Sequence, residues 1–160
     1  MKNRPVRVGI LGSGWILESH ARGFRAAGDR CKVVAVTARS PEAKSKAKEL
    51  LGPEVECHSD WTGLMRRGDL DAVDILLPHD LHLPATVMAA QKGLHVMVEK
   101  VMARNIWECD KMISACRKAG VTLAVTHDRR YHPDWMALKN LVDSGLLGEI
   151  THWKLEHNQD

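Results

Sequence analysis

Apolar runs of strand length alternate with helical stretches through most of the chain, and this alternation is what most restricts the fold. "VRVGIL" (6–11), "CKVVAV" (31–36), "AVDILLP" (72–78), "LHVMVE" (94–99) and "VTLAVT" (121–126) read as strands, with "VEC" (55–57) as a short further one. Helical spacing fills 15–28, 40–52, 83–93 and 106–120, and Ser59 or Asp60 caps a short helix running to Arg67. The punctuation agrees. Ser40-Pro41 supplies an N-cap and a proline at the first helical position, and Gly28, Gly52, Gly93 and Gly120 stand where helices stop. "AVDILLP" is a continuous apolar run, as expected of a strand covered on both faces. Strands alternating with helices predict βαβ units, and so an α/β fold with a doubly wound parallel sheet.

The first strand leads into "GSGWILESH". Gly12 permits a tight turn, and Gly14 lets the backbone approach a pyrophosphate seated on the helix N-terminus. Trp15 and Ile16 follow directly and are assigned to the same cofactor side. A third small residue normally lets the helix pack closely on the strand. Leu17 stands there instead and calls for a wider gap. The alternative is a plain strand-to-helix turn, but a strand before, a helix after and a second strand ending some twenty residues on favour a dinucleotide site.

The second strand ends "VVAVTARSPE". A site for NAD usually carries Asp or Glu there to accept from the ribose 2′-hydroxyl. Here the residues are Thr37, Ala38, Arg39 and Ser40. A guanidinium and hydroxyls suit a 2′-phosphate, which a carboxylate would repel. The expected cofactor is therefore NADP rather than NAD. The alternative is that Arg39 is a solvated loop arginine.

Composition excludes several classes. A formal charge of +3 without a long basic run offers nothing for nucleic acid. No run approaches 18 apolar residues, so no membrane partner is expected. The N-terminal apolar run is too short for a signal peptide, and none of the four cysteines forms a C-x-x-C pair; a cytoplasmic protein with reduced thiols is expected. The nine histidines include no H-E-x-x-H and no Cys/His cluster, so no metal site is expected.

The loop "HDRRYHP" (127–133) is the one boundary candidate. A helix at 133–145 and a strand at 149–158 follow it, too little for a core of their own. The expected organisation is a dinucleotide-binding domain over 1–126, and over 127–160 the opening of a truncated α+β substrate domain. The strand "ITHWKLEH" is expected to fold back, fray, or pair with a second copy as a homo-oligomer.

Four blocks carry a family resemblance: "GILGSGWILESHARGF", "VVAVTARSPEAKSKAKELLG", "DAVDILLPHDLHLPATVMAAQKGLHVMVEKVMA" and "AGVTLAVTHDRRYHPDWMALKNLVDSGLLGEI". Together they resemble the Gfo/Idh/MocA family of NAD(P)-dependent oxidoreductases, the glucose-fructose oxidoreductase and inositol dehydrogenase group. The resemblance implies a Rossmann domain followed by a substrate domain, and hydride transfer between NAD(P)(H) and a carbinol or carbonyl carbon of a small molecule, a sugar or polyol. The family's P-N-x-x-H reads Pro78-His79-Asp80-Leu81-His82 here, with His79 in place of Asn. By resemblance these residues line the cofactor pocket. The family's E-K-P reads Glu99-Lys100-Val101, which implies that Lys100 lies beside the nicotinamide and the reacting carbon; Glu99 is expected to orient it or balance its charge. A lysine there stabilises a developing alkoxide; the alternative is an exposed ion pair at a strand end. Val101 replaces the family's proline, and a cis bond before valine costs roughly 3 kcal/mol, so a trans bond is expected. "THDRRYHP" implies that Arg129 or Arg130 reaches toward the cofactor or holds the domain junction. Beside this enzyme reading stands a non-catalytic nucleotide-binding module or fragment without a substrate pocket.

Overall fold

A computed structural model describes residues 4–154 and 156. The chain divides into two compact units, Met1–Thr126 and His127–Asp160. In the first, β1 (Val6–Leu11), β2 (Cys31–Thr37), β3 (Glu56–His58), β4 (Ala72–Ile75), β5 (His95–Glu99) and β6 (Leu123–Thr126) form one sheet. It is six-stranded in the order β3-β2-β1-β4-β5-β6, and every pairing is parallel. The chain begins in the middle, winds outward to β3, then returns beside β1 and winds the other way. This is the Rossmann order, and its direction reverses between β1 and β4. In open α/β sheets that reversal opens a crevice at the carboxyl ends of the strands.

The connecting helices are α1 (Leu17–Ala27), α2 (Pro41–Leu51), α3 (Trp61–Leu64), α4 (His82–Gln91) and α5 (Ile106–Ala119). Their ends follow side-chain chemistry. Ser40 Oγ accepts from the Ala43 N–H at 3.1 Å, Asp60 from Gly63, and Asn105 from Glu108. Each satisfies an N–H that a helix start leaves without a partner. Gly120 closes α5 in the left-handed region at φ 68°. Apolar side chains collect in two clusters. One includes Leu64, Val73, Ile75, Ala89, Val98 and Met112; the other joins Ile10, Leu17, Val36, Ala47, Val55 and Leu76.

The amino ends of β1 and β4 are tied by charge. Arg4 forks onto Asp71 at 2.6 and 2.8 Å, and Asp69 pairs with both Arg67 and Arg7. These hydrogen bonds, Arg67's first and Arg7's second, hold the Asp69 carboxyl at about 2. A carboxyl lowered on folding contributes stability that is full above its unfolded value near 4 and fades as the pH falls toward 2. Asp69 is 40% exposed, so solvent screening keeps the effect below about 1 kcal/mol. Acid titration followed by circular dichroism should therefore show Asp69→Asn unfolding at slightly higher pH than the parent, and thermal unfolding should show a small deficit that is full above pH 5 and closes as the pH falls toward 2. Identical acid midpoints would contradict this assignment.

In the second unit a short turn of helix at Asp128–Tyr131 precedes α6 (Pro133–Asp143), and Gly145 follows at φ 74°. The strand expected over 149–158 is not formed among the described residues 149–154 and 156; its remaining positions, Leu155 among them, lie outside the described residues. A strand is completed by a hydrogen-bonded neighbour, and alternation of side chains does not supply one.

Candidate nucleotide cradle at the carboxyl edge of the sheet

β1 ends beside β4, where the Leu76 N–H donates to the Leu11 carbonyl at 2.8 Å. The next residue is Gly12, at φ 116°. A Cβ on it would lie 2.7 Å from the Leu76 carbonyl oxygen, inside contact distance. Glycine is therefore required by conformation and by space. Gly14 differs: a Cβ there meets nothing within 4 Å. It borders open volume at the mouth of α1, and no side chain caps that helix end. The helix begins at Leu17 rather than at Trp15 as its spacing suggests, because Trp15 and Ile16 complete the turn and Leu17 N–H bonds back to the Gly14 carbonyl. Trp15 is 80% exposed. Leu17 is buried with Ile10, Val36 and Leu76, so the oversized residue serves as a core residue of this face.

At the end of β2, Thr37 Oγ1 is buried without a hydrogen-bond partner among the described residues. Arg39 and Ser40 follow, both exposed. The Arg39 guanidinium meets no partner among the described residues, while Ser40 caps α2. His58, at the end of the neighbouring β3, pairs in register with Thr37 and accepts the Ala38 N–H on its carbonyl at 2.9 Å. Sequence reasoning had no reason to place His58 at this edge, since its position depends on strand pairing.

Beyond β4, Pro78 leads into a turn of helix over His79–Leu81, and His82 opens α4. His79 is exposed and stands edge-on to the His82 ring, centroids 5.3 Å apart. His82 is fully buried. Nε2 faces the Leu77 carbonyl at 2.9 Å, and Nδ1 faces those of Val101 and Met102 at 3.0 and 3.2 Å. It ties the end of β4 to the turn after β5. In that turn the Lys100–Val101 peptide bond is cis, not trans as expected. The expectation considered only the preference of the residue pair, and the turn's carbonyls are also held by His82. Lys100 is exposed, and its ammonium meets no partner among the described residues.

Glu99 faces inward. Oε1 lies 3.0 Å from His20 Nε2, and Oε2 accepts the Lys100 backbone N–H at 3.2 Å. His20 Nδ1 meets Asp74 Oδ2 at 2.7 Å. Burial opposes a charge on His20, but the hydrogen bonds and attraction of Asp74 and then Glu99 outweigh it and hold the imidazole above the ordinary histidine range. Burial pushes the Asp74 carboxyl up, against the pull of His20. His20 and Asp74 escaped sequence reasoning. The signals were the spacing of His20 after the glycine turn and one acid inside "AVDILL".

Gly12, Gly14, Trp15, Ile16, Arg39, Ser40, Pro78, His79, His82 and Lys100 follow the carboxyl ends of β1, β2, β4 and β5, and Glu99 is the last residue of β5. Arg130 belongs to the second unit, where its N–H bonds the His127 carbonyl at 3.1 Å. A cleft of about 420 Å³ opens elsewhere, between the ends of α1 and α2 and the start of β2, lined by Phe24, Arg25, Lys32 and Glu49 among others. No cradle residue lines it. The open volume before Gly14 and the uncapped helix mouth fit a dinucleotide cofactor. No helix in the described residues is long and apolar enough to cross a membrane.

The chain is 30% identical over 151 residues to D-glucoside 3-dehydrogenase of Escherichia coli, a match covering 94% of this chain and 42% of that protein. The WlbA dehydrogenase of Bordetella pertussis, solved with NADH and UDP-GlcNAcA, superposes with a TM-score of 0.83 at 30% identity, covering 92% of this chain and 42% of that one. A 3-ketoreductase from Actinomadura kijaniata, solved with TDP-benzene and NADP, superposes with a TM-score of 0.80 at 27% identity over 91% of this chain and 44% of that one. The chain thus spans about two fifths of the length of these relatives. Residues 6–127 match the model of the oxidoreductase family with an NAD-binding Rossmann fold, and the chain belongs to that family.

Proposed function

We propose that this chain supplies the cofactor-binding part of an oxidoreductase that moves hydride between NADP(H) and a carbinol or carbonyl carbon of a sugar or polyol. The observation that carries the reading is the glycine turn at the reversal of strand order, with Gly12 forced by the Leu76 carbonyl and Gly14 facing open space. Gly14, Trp15 and Ile16 receive the pyrophosphate at the mouth of α1. Arg39, Ser40 and the Thr37 hydroxyl receive the 2′-phosphate. Pro78 and His79 form the wall along β4, with the buried His82 behind them. The nicotinamide, when bound, accepts or donates the hydride. Lys100, unpaired at the end of β5, stabilises the negative charge that develops on the substrate oxygen as hydride leaves or arrives. The substrate class rests on the named relatives, a glucoside dehydrogenase among them.

Calorimetric titration with NADPH and with NADH tests the reading. NADPH should bind at least about tenfold more tightly, the worth of one charge-assisted contact. Arg39→Ala should remove most of that ratio while leaving NADH affinity within about twofold. Binding of neither nucleotide would end the reading, and an unchanged ratio in Arg39→Ala would remove Arg39 from it.

A further inference from the structure

The proposed chemistry makes no use of the buried chain Asp74–His20–Glu99. Its three members come from three elements. His20 sits on α1, just after the glycine turn; Asp74 is central in β4; Glu99 is the last residue of β5. Their side chains are 6%, 0% and 12% exposed. Both ring nitrogens of His20 face carboxylate oxygens, at 2.7 and 3.0 Å. With both acids ionised they only accept, and both bonds then form together when the ring carries a proton on each nitrogen. Asp74 Oδ1 has no partner among the described residues, so the ring is this carboxylate's anchor. Among the described residues, the titratable groups facing His20 are these two acids.

Burying three ionisable groups is expensive, and a well-packed apolar trio is often as stable or more so. The arrangement therefore invites an explanation in geometry. Glu99 divides its oxygens between His20 and the Lys100 backbone N–H. With both engaged, the carboxylate is kept from folding onto the adjacent ammonium, and the main chain from which Lys100 projects is fixed against α1. We propose that His20, backed by Asp74, is a positioning residue: it holds Glu99 so that Lys100 stays unpaired and in register with the helix that starts at the glycine turn. This rests on the reading of Lys100 given above.

The test is a pH titration of the ¹⁵N-labelled chain by NMR, following the His20 ring and the Lys100 amide. At pH 7 the His20 ring should be protonated on both nitrogens. As the pH rises and the ring loses its proton, the Lys100 amide should shift with the same midpoint. In Glu99→Gln, a near-isosteric change, the ring should still titrate while the Lys100 amide no longer follows it. A neutral ring at pH 7, or a Lys100 amide that ignores the wild-type titration, overturns the proposal. So does a Lys100 amide that follows the ring equally well without the Glu99 carboxylate. These measurements need no cofactor. Intact coupling in a chain that binds neither NADPH nor NADH therefore supports the relay and counts against the functional reading alone.

Discussion

Gly12→Ala should lower Tm by about 10 °C and weaken NADPH binding by at least about a hundredfold. The new methyl would lie 2.7 Å from the Leu76 carbonyl oxygen, on a backbone at φ 116° that side chains rarely adopt. Strain of this kind is worth about 1–3 kcal/mol, and the clash with main chain adds to it, giving the expected shift in Tm. The atom it displaces matters as much. Leu76 closes β4 against β1 through its N–H bond to Leu11. Pushing it away opens the crevice where the pyrophosphate is assigned, and about 3 kcal/mol of lost contact is a hundredfold in affinity. Gly14→Ala is the matched control. Its methyl meets nothing within 4 Å, so Tm should hold to about 0.5 kcal/mol of stability. Its affinity should still fall tenfold or more, because the methyl occupies the approach of the phosphates. Thermal unfolding and calorimetry on the two variants separate the roles. A Gly14→Ala chain that binds as well as the parent would place the pyrophosphate elsewhere.

The sequence carried the sheet because strand and helix periods are local properties, and five of the six strands overlap their apolar runs closely. The site was legible where a residue type is demanded by backbone geometry, as at Gly12, or by strand-end position, as at Arg39 and Lys100. Three things were not legible. His20 meets partners 54 and 79 residues away, and the glycine motif does not announce that its helix buries an imidazole between two acids. The Lys100–Val101 bond is cis, which a valine at that position does not announce. The segment after 149 alternates like a strand, but among its described residues it has no neighbour to pair with. Leu17 is an intermediate case. As the third residue of a nucleotide fingerprint it looks obstructive, yet as the first residue of α1 it fills the core beside Val36 and Leu76.

His82→Leu should unfold about 10 °C below the parent, although leucine suits a fully buried position. The reason lies in the three carbonyls around the ring. Leu77 ends the run after β4, and Val101 and Met102 form the turn after β5. All three are acceptors, so only a donor serves at this position. Leucine removes every hydrogen bond to these part-buried carbonyls, at about 1–3 kcal/mol for each that water cannot reach. His82→Gln is the discriminating partner. Its amide nitrogen carries two hydrogens and can reach toward both elements, so it should recover about half of the lost Tm. Because the turn carries Lys100, the leucine variant should also broaden the amide resonances of Lys100 and Val101, and the glutamine variant should sharpen them again. Equal stability of the leucine variant and the parent would show that shape alone fixes this turn. The ring would then have to be assigned to the cofactor wall without a part in holding Lys100.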